Sequence, residues 1–185
     1  MLIAYLAPAK MAFFSIAQDR AAFLNKIPDS MNIMLFSRIS KLTDHTEKNI
    51  LAAKGIRVIA IGLIISGIIA LLAIKPMVIL LYGMEYLPVV EPFYFIIPGV
   101  VAYGLISVMI QYFNGIGKTN LQIWIFCFIT IFQVILAILL IEDYGIMGAS
   151  VTFSLSMIFS LVISFYLFLR ESKESLSILY LSMSD

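Results

Sequence analysis

Four apolar runs restrict what this chain can fold into. Residues 56–74 (IRVIAIGLIISGIIALLAI), 92–114, 121–141 and 146–169 carry almost no charge. At about 1.5 Å per helical residue, each can cross a hydrocarbon core of about 30 Å. Helices satisfy their own backbone hydrogen bonds in lipid, so the expected fold is an all-α, polytopic transmembrane helix bundle. Composition agrees: of 185 residues, 62% are hydrophobic and 12% charged, and the mean hydropathy is +1.06. Soluble domains are only about half apolar.

A fifth stretch is apolar but not clean. Residues 11–40, MAFFSIAQDRAAFLNKIPDSMNIMLFSRIS, hold Asp19, Arg20, Lys26 and Asp29. Ionisable groups at membrane depth are costly and normally face a bundle interior or a wet cavity. On a projection at about 100° per residue, Ser15, Gln18, Asp19, Asn25, Lys26, Asp29, Ser30 and Asn32 share half of the circumference, and Arg20 lies off that stripe. The opposite side carries Phe13, Ala17, Ala21, Leu24, Ile27, Met31 and Leu35. Pro28 predicts a bend at 25–28, which membrane helices tolerate.

The remaining features divide the chain into a polar-striped membrane helix with a proline kink (1–37), a basic linker (38–57), a four-helix transmembrane region (58–169) and a tail (170–185). The linker sets Arg38, Lys41, Lys48, Lys54 and Arg57 among Asp44, His45 and Glu47 and reads as an exposed, partly helical connection. His45 lacks the convergent partners of a metal or catalytic site. Lys75-Pro76 is expected to end the first clean span, followed by a short interfacial helix, a turn at Gly83, and Tyr82 and Tyr86 at headgroup level. Pro98-Gly99 should break the next span. In the last, Gly148, Thr152, Ser156, Ser160 and Ser164 recur every four residues, as do Gly62, Ser66 and Ala70 earlier; small residues at this spacing are helix-packing faces. Cys127, the single cysteine, lies within an apolar run and reads as a packing residue.

Connections with net positive charge belong on the cytoplasmic side. Arg38 to Arg57, Lys118, and Arg170 with Lys173 alternate with Lys75/Glu85/Glu91 and Glu142/Asp143. Five crossings with a cytoplasmic C-terminus are expected. The apolar start at residues 2–9 has no basic region before it, so a cleavable signal peptide is not indicated. A formal net charge of +1 without a basic cluster disfavours a nucleic-acid partner. No nucleophile–base pair, metal-ligand cluster or phosphate-cradling loop occurs, so neither enzymatic activity nor a cofactor is expected.

The succession FSIAQDRAAFLNKIPDSMNIMLFSRIS, LLYGMEYLPVVEPFYFIIPG, QYFNGIGKTN and EDYGIMGASVTFSLS resembles the C-terminal part of polysaccharide-export flippases, relatives of the multidrug and toxin extrusion carriers. The resemblance spans about residues 10–170. It is most specific at Leu81-Tyr82-Gly83 with Tyr86, at 115–118, and at Tyr144-Gly145-Ile146 with Gly148-Ala149. Phe36-Ser37 departs from the phenylalanine-proline pair common in the family. The resemblance implies a carrier in the cytoplasmic membrane that moves lipid-linked oligosaccharide, such as polysaccharide or O-antigen repeat units, between leaflets. Such carriers enclose a cavity between two six-helix bundles. This chain would correspond to helices eight to twelve, as a truncated, split or fragmentary product, and its partner would be the missing N-terminal half or a full-length relative.

On that reading Lys26 is the leading contact for an anionic headgroup and Arg20 the second. Asp19 and Asp29 would hold those cations or couple transport to an ion, and Asn25 lies beside them. The competing reading is that Asp19, Lys26 and Asp29 pair along their own helix. Two other functions stay open. One is a small-molecule or drug exporter of the same superfamily, against which Lys26 and Arg20 argue, since organic cations favour carboxylates and aromatic walls. The other is a non-transporting membrane fragment or assembly subunit.

Overall fold

The computed structural model of the chain describes residues 8–172. Residues 1–7 and 173–185, with most of the apolar start and of the tail, lie outside the described residues. Those described form helices joined by short turns, without a strand.

Helix α1 (Pro8–Ala22) passes through a 3-10 turn, Phe23–Asn25, into α2 (Lys26–Lys41). Ala22, Asn25 and Lys26 keep right-handed helical angles, so where a bend at 25–28 is expected the helix tightens over Phe23–Asn25 and continues. Helix α3 is long, His45–Tyr82. The Asp44 side chain caps it by accepting from the Thr46 amide at 3.2 Å. Only residues 42–44 remain outside helices, so the exposed connection expected over 38–57 is mostly helix. Asn49, Ala52, Ala53 and Ile56 give its second half a buried face.

Lys75-Pro76 does not end α3. The helix continues to Tyr82 with Ile74 and Val78 buried on either side of the proline, and stops at Gly83, whose φ of +88° favours glycine. A 3-10 stretch, Met84–Val89, leads into α4, Val90–Gly115. Pro98 lies inside α4, which also continues unbroken. At Gly99 the amide donates to Ser154 Oγ at 3.0 Å, and the Ser154 hydroxyl donates to the Phe95 carbonyl. The serine is thus inserted into the helical rung next to the proline, where neighbouring helices can supply lost partners. Glycine is required at this point, because a Cβ on residue 99 would lie 2.7 Å from the Ser154 Cα.

The final helix, α5, extends over Thr119–Ser172 but reverses at Gly145 (φ 57°, ψ −124°). Phe132 stacks on Phe159 with centroids 4.6 Å apart, so the limbs 119–144 and 146–172 run antiparallel. Tight closure depends on Gly148: a Cβ there would stand 2.1 Å from the Leu140 carbonyl oxygen. The limbs match the third and fourth apolar runs.

Helix α4 forms the centre. In its most apolar window 61% is buried inside the chain, against 22% for α3 and 11% for α5. One core cluster joins α2, α3, α4 and α5 around Ile59, Leu63, Ile106 and Phe113; a second joins α1, α3 and α4 around Ala17, Ile74, Phe93 and Ile96. Outside this core lies a belt of exposed aliphatic side chains, including Ile61, Ile68 and Leu72 on α3 and Ile131, Ile138 and Leu139 on α5. Soluble monomers rarely expose continuous apolar patches of this extent. Among the described residues, three helices are long and apolar enough to cross a membrane.

Antiparallel packing gives the bundle two chemically different ends. The linker end carries residues 42–44, 116–118 and Ser172. There Tyr112 donates to Asn49 Oδ1 at 2.6 Å, Asn49 donates to the Ser172 carbonyl at 2.9 Å, and Lys118 pairs with Glu171. The tyrosine end carries Tyr82, Tyr86 and the Gly145 turn.

Candidate functional site

The continuous α1–α2 helix has one packed side and one exposed side, which carries the polar residues of 15–30 together with Phe23, Ile33 and Phe36. Ala17, Ala21, Pro28, Leu35 and Ile39 are buried, and they fall on one arc at about 100° per residue. Ser15, Gln18, Asp19, Lys26, Asp29 and Ser30 are exposed. The charged stripe therefore points away from every other described helix.

Contacts on the packed side set the depth of each residue. A Cβ on Gly104, near the middle of α4, would meet Leu63 from the middle of α3 at 2.6 Å, Asn25 Oδ1 at 3.3 Å and Pro28 at 3.4 Å. Lys26 follows Asn25 directly, so its backbone lies at mid-depth of the bundle while its side chain is exposed. Asp29 is less than one turn further along. Neither Lys26, Asp19 nor Asp29 has a partner among the described residues, where the ion pair formed is Lys118–Glu171. The pairing along the helix that their spacing permits is not made.

Arg20 is set apart from this group. Its guanidinium donates to the Tyr82 hydroxyl at 2.5 Å and lies 5.7 Å from the centroid of that ring. Tyr82 contacts Tyr86 at 5.5 Å, and Tyr86 meets Phe13 edge-on at 5.8 Å. Arg20 is thus held by an aromatic cluster at the tyrosine end, at a different depth from Lys26. Sequence reading placed the tyrosines at this level but could not pair them with an arginine 62 positions away.

Asn25 and Asn32, expected on the polar stripe, turn inward instead. Asn32 is 6% exposed and donates to Ser107 Oγ at 3.0 Å, and Ser107 donates in turn to the Gly104 carbonyl at 2.7 Å. Asn25 is half-buried with its Oδ1 enclosed. Both lie at the margin of the polar arc nearest Pro28 and Leu35, and a neutral amide costs far less to enclose than a charge. The site that geometry leaves open is Asp19, Lys26 and Asp29, with Arg20 at its rim.

Comparisons with protein-family models, with curated proteins and with solved structures found no match for this chain.

Proposed function

We propose that this chain is a membrane-spanning helix bundle forming one wall of a path for lipid-linked oligosaccharide across the cytoplasmic membrane. The alternation of charge between connections supports five crossings, with the linker end and the C-terminus on the cytoplasmic side and the tyrosine end outside. The observation that carries the reading is Lys26: exposed, unpaired, at mid-depth, on a helix whose other side is packed. A lysine in that position facing hydrocarbon would cost several kcal/mol. It is stable if it meets water, a second wall and a passing anion. An isoprenoid diphosphate supplies such an anion and needs a cation to offset its desolvation. Arg20, anchored to Tyr82, suits headgroup capture at the outer rim. Asp29, three residues from Lys26, and Asp19, next to Arg20, are the carboxylates that would hold or release those cations. The facing wall is another polypeptide segment or a second bundle.

The test is Lys26→Met at the native locus, with surface polysaccharide measured against protein level in membranes. The reading expects export to fall about tenfold or more at unchanged protein level, on the scale of one lost charge contact. Unchanged export at unchanged level sinks it. A drug exporter is disfavoured by the same residue, because an organic cation is repelled where Lys26 is exposed.

A further inference from the structure

A second feature lies on the other flank of α2, away from the charged stripe's mid-depth. A groove of about 200 Å³ opens between α2 and α3. Its walls are apolar, with Met31 and Met34 on one side, Val58 and Ile59 on the other, and Leu35 and Gly55 at the floor. Two cations, Arg38 and Lys54, also line it. Both are exposed, and neither has an acidic partner among the described residues.

The order of these residues along the groove is informative. Leu35 and Gly55 face each other, with the leucine methyls 3.3 Å from where a glycine Cβ would be. The helices run antiparallel, so moving from that level towards the linker end passes Arg38 on α2 and Lys54 on α3. Moving towards mid-depth passes Met34 and Met31 on α2 and Val58 on α3. The cations therefore sit in the half of the groove nearer the linker end, with Leu51 beyond Lys54, and the walls formed by Met34, Met31 and Val58 run inward from them. Lys54 lies just before the apolar run that begins at residue 56, at the boundary between hydrocarbon and headgroups.

We propose that this groove seats one anionic glycerophospholipid from the surrounding bilayer, its phosphate between Arg38 and Lys54 and an acyl chain along Met34, Met31 and Val58. Charge selects the occupant. A zwitterionic lipid brings a cation of its own to a mouth that already holds two, whereas an anionic headgroup neutralises them. Methionine walls suit the occupant as well, since their flexible thioethers fit an irregular alkyl chain. A soluble phosphate would satisfy the mouth and leave the apolar walls uncovered. The seat requires the bundle to be in a bilayer and is independent of the cargo proposed for the stripe.

The experiment uses the full chain purified in detergent and titrated with dioleoyl-phosphatidylglycerol or dioleoyl-phosphatidylcholine, with bound lipid counted by native mass spectrometry. The wild-type chain is expected to retain one phosphatidylglycerol and to prefer it over phosphatidylcholine. Removing both charges in Arg38→Gln/Lys54→Gln should weaken that retention about thirtyfold, from two cation–phosphate contacts, while Lys75→Gln leaves it unchanged. Val58→Phe changes an exposed wall position without disturbing the core; it should reduce phosphatidylglycerol retention with both charges in place. Millimolar glycerol 3-phosphate should not displace the lipid. Equal retention of both lipids by the wild-type chain overturns the proposal. So does unchanged retention in the charge variant, in Val58→Phe, or displacement by glycerol 3-phosphate. If the charge variant does not fold, the wild-type lipid preference, Val58→Phe and the competition arm still decide.

Discussion

Two polar patterns run along helices of this chain, and they end up in opposite places. The stripe on α1–α2, with Asp19, Lys26 and Asp29, lies on the outside of the described bundle. The ridge on the second limb of α5, Thr152, Ser156, Ser160 and Ser164, is at most 2% exposed, although its hydroxyls have no hydrogen-bond partner. The difference is one of size and charge. A hydroxyl costs far less to enclose than a charge, and its small volume lets another helix approach closely. A lysine or aspartate enclosed without a partner would cost far more, so the α1–α2 helix turns alanines, a proline and leucine inward and its charges out. Polar spacing alone does not separate a packing face from a functional one; what the polar groups are made of does.

The comparison can be broken by interchanging the demands on the two helices. The largest effect is expected at the hairpin that creates the ridge. Gly148→Leu drives a side chain into the Leu140 backbone and should lower stability by more than about 3 kcal/mol, read as loss of folded protein or of the thermal transition in detergent. Next is Ser160→Leu, which overfills the buried ridge and should cost about 1–3 kcal/mol in the same measurement. Ser154→Ala removes the hydroxyl that bridges Gly99 and Phe95, and should cost about 1 kcal/mol, in the range of interhelical hydrogen bonds in membranes. The smallest effect is expected on the stripe. Lys26→Met should leave the thermal midpoint within about 2 °C, since the side chain is exposed and forms no ion pair among the described residues. A large loss of stability there would mean that Lys26 is structural.

Much of this contrast can be read from residue order. The four apolar runs, the reversal at Gly145 and the ridge that begins at Gly148 all follow from local chemistry: length, a conformation that favours glycine, and a period of four. Features that depend on a distant neighbour were not legible. Pro76 and Pro98 look like helix ends because proline removes a donor, yet both helices continue through them, at Pro98 with Ser154 supplying a hydroxyl to the adjacent rung. Asn25 and Asn32 look like members of the charged stripe, and only Gly104 and Ser107 on α4 explain why they turn inward. The groove between Arg38 and Lys54 needs two helices at once, so a linear reading showed only a basic linker.

A wet stripe beside a dry ridge and a dry outer belt is what the proposed path requires. Cysteine accessibility in native membranes tests it directly. With Cys127 replaced by serine, single cysteines at Lys26, Ser160 and Ile131 can be treated with a charged, membrane-impermeant methanethiosulfonate and the labelled fraction measured. Rapid labelling is expected at Lys26→Cys and none at Ser160→Cys, inside the helix packing, or at Ile131→Cys, on the exposed aliphatic belt. Protection of Lys26→Cys, or labelling of all three alike, would contradict it.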